Sequence, residues 1–223
     1  MFPGFDALLL TAKLAGLTTL ILLVVGTPVA WWLANTKFRL KPVIEAIVAL
    51  PIVLPPTVLG FYLLIFLSPQ SGFGGWWFEF TGQTLTFSFS GLVIASVIYS
   101  FPFVVQPIHN AFESVGKDMM EAAYTLGAKP ADAFFTVAVP LAKRGFITGG
   151  VLGFAHTLGE FGVVLMVGGN IPGETRVVSI AIYDHVESLE YAQAHVLSGI
   201  LLAFAFSAML LMYVLNHRLK VKT

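Results

Sequence analysis

Long apolar stretches separated by short polar segments dominate the pattern of this chain. Glu160 is the one charged residue in these stretches, which run over 14–36, 46–78, 80–112, 145–169 and 191–217. A helix needs about 20 mostly apolar residues to cross a bilayer. The pattern therefore predicts five membrane-spanning helices, at about residues 7–36, 42–67, 87–111, 145–169 and 191–217.

Composition supports an integral membrane protein. Of the 223 residues, 57% are hydrophobic and 11% are charged, whereas about 25% of the residues in a soluble domain are charged. We expect an all-α protein in which residues 1–223 form a single transmembrane domain. The zero net charge argues against a nucleic-acid partner, and the absence of Cys excludes disulfides and thiolate metal sites.

The positive charges predict the orientation of the five spans, because Lys and Arg are enriched in cytoplasmic loops. An outside N-terminus and a cytoplasmic C-terminus place ten of the twelve Lys and Arg residues inside. Lys13 and Arg176 are the two left outside. Between the second and third spans, the pair Trp76 and Trp77 is typical of residues that anchor a protein at the membrane interface.

The second predicted span contains Pro51, Pro55 and Pro56, and the first contains Pro28. Proline removes a helical hydrogen-bond donor, so a kink is expected at Pro28 and a break in the second span. Inside a bilayer, free backbone groups are tolerated only against protein or a water-lined cavity. We therefore expect the break to face the bundle interior, although a kink that merely improves packing explains the prolines equally well.

Glu160 is the single carboxylate within the predicted fourth span. A carboxylate at membrane depth costs a few kcal/mol and marks a candidate functional residue. Two structural explanations stay open: hydrogen bonds from nearby hydroxyls, or an ion pair with a base such as Arg176. The spacing of His156 and Glu160 also predicts that both lie on one helix face.

A polar insert at about 112–144 separates the third and fourth spans. The insert is predicted to form two short helices divided at Gly127, because glycine readily ends a helix in the left-handed conformation. Ala122 and Ala123 leave part of the first helix almost without side chains, and such a surface can enter a groove on a partner. The alternative is an amphipathic hairpin on lipid headgroups.

The insert resembles the loop by which permease subunits of ABC importers dock onto their ATPases. The residues that carry this resemblance are Glu121, Ala122, Ala123, Gly127 and Pro140, together with Val137 and Val139, where the general pattern often has Ile and Leu. Three further segments, 50–60, 158–162 and 170–176, resemble molybdate permeases, and sulfate and tungstate permeases are close relatives.

This resemblance implies a type I ABC importer permease in the bacterial inner membrane. It implies a second copy of the chain, two cytoplasmic ATPase subunits that bind ATP and Mg²⁺, and a periplasmic oxyanion-binding protein. The chain itself is expected to hold no cofactor and no metal, and to catalyse no reaction. Molybdate is the expected substrate, with sulfate and tungstate as the alternatives.

Five residues are predicted to lie near the dimer axis as part of the path or its gate: Pro55, Thr57, Ser100, Thr157 and Glu160. A fixed carboxylate would repel a dianion, so Glu160 is expected to hold a gate through hydrogen bonds. The alternative hypothesis, from a different class of protein, is a membrane-embedded enzyme that uses Glu160, His109 or His156. Such an enzyme would require these titratable groups to form a cluster.

Overall fold

Three of the five predicted spans are single long helices in the computed structural model, which describes residues 4–218. They are α1 (Phe5–Asn35), α5 (Phe89–Val115) and α12 (Tyr191–Arg218), each long and apolar enough to cross a bilayer. α1 stays one helix through Pro28. The described residues form helices and turns without any strand, which confirms the all-α prediction.

The predicted break in the second span is confirmed. Helices α2 (Lys41–Val53) and α3 (Pro56–Leu67) meet at an angle of 110°. Leu54 and Pro55 between them are extended, with ψ angles of 135° and 134°. Each of these residues precedes a proline, whose ring disfavours the helical conformation of the residue before it. A short helix, α4 (Gly72–Thr81), follows α3.

The polar insert forms α6 (Lys117–Thr125), α7 (Pro130–Ala133), a π-helical turn (Phe134–Ala138) and α8 (Val139–Leu141). Gly127 has a φ of 87°, and Pro130 opens α7, so the predicted division at Gly127 is confirmed. One face of the insert packs on the ends of α1 and α5. It buries Met120, Ala123, Ala133 and Ala138 beside Phe112.

The predicted fourth span is wrong in one respect, because it is not one helix. It consists of α9 (Lys143–Leu158) and α10 (Gly162–Gly168), and the three residues between them, including Glu160, leave the helical path. The chain also bends by 69° where the insert enters α9. Three long helices and two bent pairs, 41–67 and 130–158, give up to five candidate spans by length and composition.

Glycine allows α9 to approach α5 closely. Gly145, Gly149 and Gly153 are buried at a spacing of four residues on one face of α9. A Cβ atom at Gly145 would lie 2.4 Å from the Cβ of Ala111, and one at Gly149 would lie 2.9 Å from the carbonyl oxygen of Val104. Small residues at this spacing let the backbones of membrane helices touch. α5 therefore packs closely on α9, and α1 packs on both of these helices.

The remaining helix, α11 (Val178–Glu187), connects the broken fourth span to α12. The backbone N–H of Val178 donates to the Thr11 hydroxyl at 2.8 Å, which ties α11 to α1. The Ser179 hydroxyl donates to the backbone oxygen of Glu160 at 2.5 Å. α11 thus contacts the break in the fourth span directly. Of the predicted basic tail, Lys220 and Lys222 lie outside the described residues.

Candidate functional site

The two broken spans cross each other at their breaks. A Cβ atom at Gly162, the first residue of α10, would lie 2.7 Å from the Cβ of Pro56, the first residue of α3. One turn further along α3, a Cβ atom at Gly60 would lie 2.8 Å from the Cβ of Met166. We call this contact of Pro56 and Gly60 with Gly162 and Met166 the crossing. Glycine at both positions is what allows it.

A cavity of about 580 Å³ opens beside the crossing. Thr57 from α3, Tyr99 from α5, His156 from α9 and Glu160 from the break supply its polar side chains. The rest of its lining is Pro56, Ala155, Gly159, Phe161, Gly162, Leu165 and Met166. The cavity is therefore a mainly apolar chamber in which a few polar groups from four elements converge.

A chain of hydrogen bonds lies directly behind this cavity. The Thr157 hydroxyl donates to the carbonyl oxygen of Gly153 at 2.9 Å, and it lies 3.0 Å from the Ser100 hydroxyl. Ser100 Oγ also lies 2.9 Å from His156 Nδ1. Each hydroxyl has one proton to give. All three contacts are satisfied together when His156 Nδ1 donates to Ser100 and Ser100 donates to Thr157.

The His156 ring is held on two sides. It stacks on Phe103 with ring centroids 3.8 Å apart, and the Tyr99 ring lies 4.8 Å away. Because Nδ1 contacts Ser100, the other ring nitrogen, Nε2, is available to hydrogen-bond in the cavity. With the proton of a neutral His156 on Nδ1, Nε2 offers an acceptor.

Glu160 is buried without a hydrogen-bond partner for its carboxylate. The residue is 4% exposed, and neither carboxylate oxygen is paired within the described part of the chain. The Ser96 hydroxyl lies beside it, but it is also unpaired and outside hydrogen-bonding geometry. Arg176 instead pairs with Asp184 at 3.4 Å. The predicted ion pair of Glu160 with Arg176 is therefore wrong, and the Ser96 hydroxyl is the group closest to hydrogen bonding the carboxylate.

The structure brings most of the predicted path residues together. Thr57 and Glu160 line the cavity, and Ser100 and Thr157 lie behind it. Pro55 does not line the cavity but lies in the break, one residue before Pro56. Sequence reasoning missed Tyr99 and linked His156 only to an enzyme. A tyrosine in a charge-free stretch carries no signal of its own, because only the fold brings it to the cavity.

The enzyme hypothesis required Glu160, His109 and His156 to cluster, and the structure brings only His156 and Glu160 to one cavity. His156 and Glu160 do not share a helix face, because α9 ends at Leu158. His109 lies elsewhere, 3.3 Å from Glu113 and beside a different cavity that Glu45 also lines. Among residues 4–218, no group of three or more His, Asp or Glu side chains is placed to hold a metal ion.

The outward face of α6 is a second candidate site. Met119, Ala122 and Leu126 lie at i, i+3 and i+7 on one face, and Leu126 is 89% exposed. We call these three residues the insert surface. Glu121, Gly127 and Pro140 are exposed as well. Ala123 is not part of this surface, because it is 9% exposed and packs in the core with Phe112. The prediction that Ala122 and Ala123 form one contact face is therefore wrong.

Comparison with known proteins gives consistent matches. Residues 26–221 match the family model described as binding-protein-dependent transport system inner membrane component. The chain is 61% identical to the molybdenum transport system permease protein ModB of Azotobacter vinelandii over 93% of this chain and 92% of that protein. It is 39% identical to the protein of the same name from Escherichia coli (strain K12), over 83% of this chain and 81% of that one.

A solved structure shares the fold. A bacterial ABC transporter involved in the import of the acidic polysaccharide alginate superposes with a TM-score of 0.77. The match covers 97% of this chain and 79% of that chain at 17% sequence identity. At this identity the likeness concerns the fold alone.

Proposed function

The chain belongs to the family of binding-protein-dependent transport system inner membrane components, and on that premise we propose that it is the permease subunit of an ABC importer for molybdate. The identity of 61% to a molybdenum transport permease over nearly the whole of both chains supports the substrate. The cavity at the crossing supports the role of a path. Unpaired polar groups at membrane depth are tolerated only against protein or water, and this cavity supplies such a place.

The path is completed by a second copy of the chain. In one copy, Pro55, Pro56 and Thr57 are exposed at the break, beside the cavity. A bundle of five spans encloses little space, so a two-fold dimer that places the two cavities at its axis is the simplest closed arrangement. In this arrangement Glu160 lies beside the shared path, and its buried carboxylate acts as part of the gate.

The energy for transport comes from two cytoplasmic ATPase subunits that hold ATP and Mg²⁺, while the permease holds neither. Each ATPase receives the insert surface, in which Leu126 is the apolar anchor and Ala122 allows close approach. A periplasmic protein delivers the oxyanion to the opposite side of the membrane. Movement of the insert reaches the cavity through α9, since α9 begins where the insert ends and carries His156 and Thr157 near its other end.

Transport by the reconstituted importer tests the proposal. The permease, its ATPase and the cognate binding protein are assembled in proteoliposomes, and uptake of molybdate is measured with ATP inside. We expect uptake that requires all three proteins and that sulfate in excess does not abolish. Uptake of sulfate but not of molybdate would assign the chain to a sulfate importer instead. Tungstate is measured in parallel, because its size and charge match those of molybdate.

A further inference from the structure

The short helix α4 and the end of α3 carry a row of aromatic rings, of which Phe73 is partly buried against the core and the other three are exposed. Phe66, in the last turn of α3, stacks on Phe73 with ring centroids 4.8 Å apart. Phe73 lies 6.1 Å from Trp76, and Trp76 stacks on Phe80 at 6.0 Å. Phe66, Trp76 and Phe80 are 48%, 56% and 79% exposed. We call these four residues the aromatic row.

The opposite face of α4 is fixed to the protein. Trp77 packs with Leu63, Leu67 and Leu85. The Ser71 hydroxyl caps the helix by accepting from the N–H of Gly74 at 2.9 Å and donating to the carbonyl oxygen of Phe66 at 2.5 Å. A Cβ atom at Gly74 would lie 2.1 Å from the carbonyl oxygen of Ser68. Helix α4 therefore presents Trp76 and Phe80 outward, with Phe73 at the edge of its buried face, and has no room to turn them inward.

We propose that the aromatic row lies in the bilayer interface and contacts lipid, so that α4 anchors the end of α3 at the membrane surface. The row continues the exposed apolar face of α3, where Phe61 and Ile65 are 49% and 51% exposed. That face belongs to a candidate membrane span. Trp favours the depth at which lipid headgroups meet acyl chains, which fits Trp76, and Phe rings occur on helix faces that enter the boundary of the acyl chains.

The charge of α4 favours lipid over a protein partner. Glu79 is the single charged residue in Gly72–Thr81. A protein interface of this size would carry a polar rim around its apolar centre. The aromatic row instead borders an apolar helix face on the side of α3, as expected for a surface that passes from acyl chains to headgroups.

Anchoring gives α4 a role in the transport cycle, and this step rests on the proposed function. The first turn of α3 supplies Pro56 and Thr57 to the cavity, and its last turn is held by α4. A helix whose end is fixed at the membrane surface keeps its cavity wall at a constant depth. The parts that move at the crossing are then α10 and the break at Glu160.

Spin labels on the full-length chain test the contact with lipid. The chain contains no Cys, so Phe80→Cys and Gln83→Cys each give a single labelling site in the otherwise unchanged protein. Gln83 is an exposed residue just beyond the end of α4 and is the matched control. The labelled permease in lipid nanodiscs is probed for collision with oxygen, which concentrates in lipid, and with a water-soluble nickel complex.

We expect the Phe80 label to collide mainly with oxygen and the Gln83 label mainly with nickel. Equal access of nickel to both labels would show that the row is in water and would overturn the proposal. A Phe80 label shielded from both reagents would show that protein covers the row, and would overturn it as well. Neither result depends on the transported substrate, so failure here is distinct from failure of the proposed function.

A second measurement uses the native tryptophans. In chains that carry Trp31→Phe and Trp32→Phe, the further change Trp77→Phe leaves Trp76, and Trp76→Phe leaves Trp77. Lipids brominated near the headgroup are expected to quench the fluorescence of Trp76 several times more strongly than that of Trp77, which packs inside. Equal quenching of the two would contradict the assigned faces of α4.

Discussion

The crossing and the insert surface differ in how much space surrounds their residues. At the crossing, Pro56 and Gly162 meet with no room for an additional carbon atom, whereas Leu126 on the insert surface is almost fully exposed. A change of size at the crossing must therefore act on the fold of the permease itself. A change of size on the insert surface leaves this fold intact and is expected to act on the proposed contact with the ATPase. Stability and coupling can thus be perturbed separately in one chain.

The largest effect is expected at the crossing. Gly162→Val should disrupt the contact of α10 with α3, because its Cβ would lie 2.7 Å from the Cβ of Pro56. Overpacking of this kind costs about 1–3 kcal/mol, and we expect a lower melting temperature and loss of molybdate uptake. Thermal unfolding of the purified permease and uptake by proteoliposomes measure the two effects.

Gly159→Ala is the matched control, because Gly159 flanks Glu160 on the other side. A Cβ there would meet its nearest atoms at 3.9 Å, an ordinary contact distance. We expect its melting temperature to stay close to that of the unchanged chain. A Gly162→Val permease with normal stability and uptake would show that the crossing is not as tight as the structure indicates.

The next prediction distinguishes the exposed face of α6 from its buried face. Ala122→Trp adds a large ring to an exposed position and should block docking of the ATPase while leaving the melting temperature unchanged. Ala123→Trp adds the same ring to a residue that is 9% exposed and should destabilise the permease, since a full core has no place for it. Co-purification of the ATPase and thermal unfolding are measured for both variants.

The opposite pattern would refute the assignment of faces. If Ala123→Trp abolished ATPase binding in a fully stable permease, and Ala122→Trp bound normally, the contact surface would lie on the side that packs with Phe112. Leu126→Ala gives a milder check of the insert surface. Loss of an apolar anchor at an interface weakens binding by tenfold or more, about 1.4 kcal/mol or above, and the variant should lower the affinity for the ATPase without lowering stability.

Local rules predicted part of this comparison from the sequence. Pro55 and Pro56 forced extended residues before them, and Gly127 ended the first helix of the insert, because both effects act within a few residues. The spacing of the insert and the polar residues Thr57, Ser100, Thr157 and Glu160 also pointed to the two regions that the structure contains. These signals are readable without knowing what packs against them.

The errors arose where distant segments decide the structure. The break at Glu160 coincides with the contact of Gly162 with Pro56, and the sequence of the fourth span alone gives no sign of that neighbour. Ala122 and Ala123 are adjacent in sequence but about 100° apart around a helix, so which of them is buried depends on where Phe112 lies. Tyr99 and His156 reach the cavity only because glycine in α9 lets α5 and α9 touch.

A smaller effect is expected from Glu160→Gln, which keeps the shape of the side chain and removes its charge. If Glu160 holds the gate, the variant should hydrolyse ATP with less dependence on the loaded binding protein. If it contacts the oxyanion directly, uptake should fall while this dependence stays. ATP hydrolysis and molybdate uptake in proteoliposomes distinguish the two results.

Glu174→Gln is the control for charge removal, because Glu174 is exposed on the loop after α10. It should behave as the unchanged chain in both assays. Normal coupling and normal uptake in Glu160→Gln would exclude both roles and leave Glu160 as a structural residue.

The last prediction concerns the side of the membrane that each region faces. Its substitutions are expected to change thiol labelling and nothing else. Ser114→Cys reports the side of the insert, and Gln83→Cys reports the side of α4; Ser71 is unsuitable because its hydroxyl caps α4. Both positions are exposed, so the substitutions should leave transport unchanged. With the N-terminus outside, a membrane-impermeant thiol reagent applied to intact cells should label Gln83→Cys and spare Ser114→Cys until the cells are opened. Labelling of Ser114→Cys in intact cells would place the insert surface outside, where no ATPase could reach it, and would overturn the orientation predicted from the positive charges.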